Sequence, residues 1–143
     1  MKFRLIIDKN REEEILVYAH EKTPLTEAVE RLASEEEFRL IGYIDREAVR
    51  LDLNKICRFT VEDNRVFAET VGGKYRLRHR LREIEEKMPA DFIKINQSCL
   101  ANINMIERFD ASVSGSLLVK LKNGSTDYVS RRQLKTVKER FGL

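Results

Sequence analysis

From residue 38 onward, turn signals recur too often for any long element to fit between them. Asp63-Asn64 and Gly72-Gly73 separate apolar, β-branched runs, Ser114-Gly115-Ser116 follows another, and Asn123-Gly124 is the strongest short hairpin signal of all. Residues 38–44, 47–53, 55–62, 65–71, 74–78, 92–95, 103–110, 117–122 and 125–129 therefore read as short strands. Residues 96–102 read as an irregular break. Leu81, Ile84 and Met88 recur at helical spacing, so 79–88 reads as a short helix, with Pro89 after its end. Leu134, Val137 and Phe141 predict a last helix opening at Ser130, with Gln133 placed as a capping-box partner. The fold class expected is mostly β, α+β overall: short strands in a sandwich or small barrel-like stack.

The N-terminus reads differently. Residues 3–7 and 14–20 have strand composition, with a polar turn between them. A helix follows over 23–37, capped by Thr23 with Pro24 at its first position. Such a β-β-α extension is small for a core of its own. The expected division is 1–40 for this extension and 41–143 for the β domain. The chain has 143 residues, 42% of them hydrophobic, which suits one domain with an appendage and argues against global disorder.

Several function classes find no support. No Gly-rich phosphate loop precedes a helix, and Ser98 beside Cys99 has no histidine near in sequence. His20 and His79 lack neighbouring metal-type ligands. Cys57 and Cys99 lie far apart and read as small buried hydrophobes. The acidic run at 35–37 reads as a solvated helix end. We therefore expect no enzyme, no cofactor, no metal and no small-molecule substrate. No apolar run approaches the ~20 residues of a membrane span, and the first residues do not read as a signal peptide. The expected location is cytoplasmic.

Charge is more informative in its placement than in its total of +3. Residues 1–47 hold 8 Lys/Arg against 12 Asp/Glu, a net −4; residues 48–143 hold 19 against 12, a net +7. Such asymmetry fits an anionic partner for the basic part, and equally a solvated surface that happens to be basic. Lys74, Arg76, Arg78, Arg80 and Arg82 alternate, either as a solvated face or as a stripe that follows a phosphate backbone. Lys94, Asn96, Gln97 and Ser98 form a polar break between apolar runs. It could read base edges, or simply satisfy its own backbone. Arg131 and Arg132 stand in the first turn of the last helix, where the helix dipole disfavours cations. A bound phosphate or a guanine edge would reverse that penalty, which points to duplex DNA; the alternative is two snorkelling side chains whose aliphatic stems cover apolar surface.

The stretch "FIKINQSCLANINMIERF", followed by "GSLLVKLKNGSTDYVSRRQLKTVKERFG", resembles the second half of the LytTR DNA-binding domain, and Ile44 to Arg80 fit the first half. The resemblance implies an elongated fold of about ten short strands in small packed sheets. It also implies double-stranded DNA as partner, entered by loops rather than by a recognition helix. The implied contacts are the loop of Asp63, Asn64 and Arg65, the break of Lys94, Asn96, Gln97 and Ser98, and the helix start at Ser130, Arg131 and Arg132. Arg132 would read a base and Lys94 hold a phosphate. Asn102 matches a family asparagine and is expected to be a structural cap. Family members often carry His and a basic residue where this chain has Asn96 and Gln97, so a different target sequence is implied. The expected function is a bacterial-type, sequence-specific transcription regulator without a receiver domain. The alternative is a protein-interaction module whose basic face docks an acidic partner; an RNA-binding β module fits less well, because the aromatics fall at core positions. The acidic extension suits a homodimerisation or control element, and relatives of this short type often pair with a small membrane-protein antagonist.

Overall fold

The computed structural model describes residues 1–33, 39–88, 90–111 and 115–143. The acidic run at 35–37, Phe38, Pro89 and Ser114 lie outside the described residues. The chain divides into two compact units, 1–37 and 38–143.

In the first unit the helix forms and the strands do not. Helix α1 (Pro24–Ala33) begins where Thr23 and Thr26 cap each other, backbone N–H to side-chain oxygen, at 2.8 and 3.3 Å. The polar turn also closes, with Asn10 N–H donating to Asp8 Oδ1 at 3.0 Å. Residues 3–7 and 14–20, expected as strands, carry no ladder. β-propensity describes fit to a pleated, half-covered surface, and here no such surface is offered. Phe3 is 90% exposed and Tyr18 96%. The expected β-β-α extension is thus, among the described residues, a helix preceded by chain without strand pairing.

Among its described residues the second unit carries ten strands: β1 (Leu40–Ile44), β2 (Glu47–Leu51), β3 (Ile56–Glu62), β4 (Arg65–Thr70), β5 (Lys74–Leu77), β6 (Phe92–Asn96), β7 (Cys99–Asn102), β8 (Ile106–Asp110), β9 (Leu117–Leu121) and β10 (Thr126–Val129). Helix α2 (Leu81–Lys87) follows β5, and α3 (Arg131–Phe141) ends the unit. Seven strands form one antiparallel sheet in the order β2-β1-β5-β4-β3-β7-β6, and three form a second in the order β10-β9-β8. Asp63 and Asn64 both take positive φ, 49° and 61°, as the two-residue turn between β3 and β4 requires.

The large sheet is covered on both faces at its β3–β7 region. Ile56, Phe59 and Leu100 pack toward Ile84 of α2, while Cys57, Cys99 and Ala101 pack toward Val119 of the small sheet and Val137 of α3. This explains why β7 escaped the sequence reading, which left 96–102 irregular. All of its residues are buried, so it has no polar alternation. Asn102, which ends it, is 2% exposed. Its Oδ1 accepts from Asn104 N–H at 3.0 Å and its Nδ2 donates to Ile56 O at 2.8 Å, the structural cap expected of it. Asp52 caps the matching 3₁₀ turn at Leu53–Lys55 in the same way.

Candidate nucleic-acid interface

Three loci far apart in sequence meet at one end of the large sheet. The β3–β4 turn carries Asp63, Asn64 and Arg65. Next to it, Val61 N–H donates to Ser98 O at 3.0 Å, placing the β6–β7 turn alongside. On the other side of β6, Ser130 N–H donates to Ile95 O at 2.8 Å, which seats the start of α3. Asn64, Arg65, Gln97, Ser98, Arg131 and Arg132 are all exposed there. Among the described residues, Arg65, Arg131 and Arg132 enter none of the ion pairs (N···O within 4 Å) that hold other cations of this unit.

Not every expected contact residue is available. Asn96 is 1% exposed, and its amide is fully engaged. Nδ2 donates to Asp127 Oδ1 at 3.0 Å and to Tyr128 O at 2.8 Å, and Oδ1 accepts from Ser98 N–H at 2.9 Å. Its expected role of reading a base edge is not available to a side chain so placed. Lys94 turns toward α2, its Nζ 3.7 Å from Glu85. Ser130 is the N-cap residue of α3, yet its side chain makes no capping bond; only its carbonyl accepts, from Gln133 N–H at 3.0 Å. The expected capping box is therefore absent, because Ser130 is oriented by its backbone bond to β6. The Lys74-to-Arg82 alternation also breaks. Lys74 meets Glu62 at 2.6 Å, Arg78 lies 4.4 Å over the Tyr43 ring, and Arg82 meets Glu86 at 3.7 Å on α2. The strand ends at Leu77, so these cations do not share one face.

Behind the three loci lies a partly buried polar cluster that nothing in the sequence reading singled out. Arg58 donates from Nε and Nη2 to both carboxylate oxygens of Glu69, at 2.6 and 3.0 Å, and from Nη1 to Asp127 Oδ2 at 2.8 Å. The side chains of Arg58, Glu69 and Asp127 are 12%, 11% and 17% exposed. Burial opposes the charge on Glu69, but the Arg58 guanidinium outweighs it and holds the carboxyl below its ordinary range. Burial likewise opposes the Arg58 charge, and Glu69 with the field of Asp127 raises its pKa instead. The only sequence signal was an arginine between the apolar Cys57 and Phe59 of β3, facing an acidic residue across the Asp63-Asn64 hairpin.

Residues 46–142 match the family model of the LytTr DNA-binding domain. The chain belongs to that family. This LytTr chain is 30% identical over 146 residues to an HTH-type transcriptional regulator of Staphylococcus aureus (strain NCTC 8325 / PS 47), covering 100% of this chain and 99% of that protein. A similarly described regulator of S. aureus strain MSSA476 is 36% identical over 104 residues, 73% of this chain and 71% of that one. A LytTr DNA-binding domain from Bacillus cereus superposes with a TM-score of 0.69 at 18% identity, over 73% of this chain and 97% of that one. The LytTr unit itself presents no helix-turn-helix among the described residues: α2 and α3 are separated by five strands. No helix among the described residues is long and apolar enough to cross a membrane.

Proposed function

We propose that this LytTr chain is a sequence-specific regulator of transcription that enters duplex DNA with turns and a helix start rather than a helix face. The observation that carries this reading is the convergence of the β3–β4 turn, the β6–β7 turn and the start of α3 at one sheet end, where Arg65, Arg131 and Arg132 enter none of the ion pairs formed among the described residues. Gln97 and Arg132 are the base readers in this proposal. Asn64, Arg65, Ser98, Ser130 and Arg131 position the backbone of the duplex, and Lys94 reaches a phosphate by leaving Glu85. Asn96 supports the turn from below.

The test is selection from a random duplex pool at about 150 mM salt, with wild type beside Arg131→Ala/Arg132→Ala. Specific binders exceed their non-specific affinity by ~10³-fold or more. Wild type is expected to enrich a motif, and the double variant to lose it together with roughly one unit of salt slope per phosphate contact removed. If neither protein enriches anything and binding hardly depends on salt, the basic face is instead a dock for an acidic protein. A homodimer through residues 1–40 is part of the same proposal, because apolar side chains from Phe3 to Leu32 stand exposed there. A monodisperse monomer in sedimentation, with and without the selected duplex, removes that part.

A further inference from the structure

The Arg58–Glu69–Asp127 cluster is a costly way to fill a gap between two sheets. Buried ion pairs seldom stabilise more than apolar residues of the same volume would. What this one offers is direction. Asp127 is its hub: Oδ2 accepts from Arg58 on β3, and Oδ1 accepts from Asn96 at the end of β6. Asn96 passes the constraint on, since its Oδ1 holds the N–H of Ser98 in the turn that carries Gln97. The same amide grips Tyr128 O, two residues before Ser130 and the start of α3. A register irregularity between Lys94 and Asn96 loosens the β6–β7 ladder just where the turn begins. A bulge of that kind re-aims the side chains beside it unless something fixes it. Here the Asn96 amide does so.

We infer that Asp127 and Asn96 are positioning residues for recognition: they hold the Gln97–Ser98 turn in one register with Arg131 and Arg132, so that both loci meet the duplex at a set spacing. The inference rests on the DNA reading above. Neither side chain needs to touch nucleic acid, and the charge they manage stays inside the protein. Sequence discrimination therefore depends on them, while general attraction to phosphates does not.

Asp127→Asn is the sharpest probe, because the shape is unchanged. Its new amide group must face either Arg58 Nη1 or Asn96 Nδ2, donor against donor, so one arm of the hub breaks. Asn96→Ala is the second variant, since it leaves Arg58, Glu69 and Asp127 in place and cuts only the tether. Each is titrated with the selected duplex and a scrambled duplex across a salt series. In parallel, amide exchange is followed at Ser98 and Ser130, with Ile84, whose N–H bonds Arg80 O at the start of α2, as control. The expected result is a fall in the ratio of specific to non-specific affinity by roughly tenfold or more, about one lost base contact. The salt slope stays at the wild-type value, and exchange quickens at Ser98 and Ser130 but not at Ile84. An unchanged affinity ratio in both variants overturns the inference, and so does a slope that falls as it does for Arg131→Ala. Should wild type itself fail to discriminate, the DNA reading is what fails. Exchange then decides the register device alone: faster exchange at Ser98 and Ser130 supports it, and unchanged exchange refutes it.

Discussion

Glu69 shows how a single side chain in this protein carries a pH dependence. Its carboxyl is held below the ordinary value of 4.5, because Arg58 binds its ionised form from two nitrogens. A depressed carboxyl adds stability that is complete above the unfolded-state pKa and is lost as pH falls through the folded one. Thermal melts between pH 6 and pH 3 should therefore show a loss of stability that Glu69→Gln lacks. At neutral pH the same variant should cost about 1–3 kcal/mol, since Asp127 still satisfies part of Arg58. The two cysteines make the opposite case. Burial pushes the thiol pKa of Cys57 and Cys99 upward, and both are fully enclosed. A thiolate is the reactive form, so alkylation of the native protein at pH 8 should be negligible. Both thiols should become reactive on unfolding in guanidinium, as counted by mass spectrometry. Sequence had suggested enclosed cysteines; it had no means of suggesting that Asn96 lies underneath the turn rather than on it. Polar composition told where the chain breaks, and only the position of Tyr128 and Asp127, some thirty residues away, decides which polar group faces inward.

Elements were legible wherever burial is one-sided. The β9 burial pattern alternates, and its Asn123-Gly124 turn is formed with Gly124 at φ 87°. Helix α3 was legible from Leu134, Val137 and Phe141, which pack into the core between the sheets as their spacing implied. Legibility failed in two opposite ways. β7 lies between two cores, so the alternation that marks a strand is erased. Residues 3–7 and 14–20 have the composition of strands but lack a neighbour to pair with. β1 depends on one small residue. A Cβ on Gly42 would come within 2.6 Å of Tyr75 Cβ and 2.7 Å of Leu51 Cδ1, so β2 and β5 crowd it from both sides. Gly42→Ala should therefore destabilise by about 1–3 kcal/mol, as overpacking does. A drop of several degrees in melting temperature checks it, and an unchanged melt would mean that β1 can shift freely against β5.

For the molecule as a whole, both apolar cores are drawn from residues 40 onward among those described. Removing residues 1–38 should leave the LytTr unit folded, with a cooperative melt within a few degrees of the full chain and unchanged affinity for a single recognition site. Loss of cooperativity would show that the N-terminal residues complete the unit.

The way α3 is seated has a consequence for the chain as it is synthesised. Val129 and Val137, which close the core over Cys99 and Val119, lie later in the chain than β1 to β9 and so leave the ribosome after them, and Arg131 and Arg132 come with them. A polypeptide interrupted before residue 126 would have most of its strands but an open apolar flank and no arginine pair. Apolar surface left open in this way is a target for proteases, so β1 to β9 are fully enclosed only once β10 and α3 have been made.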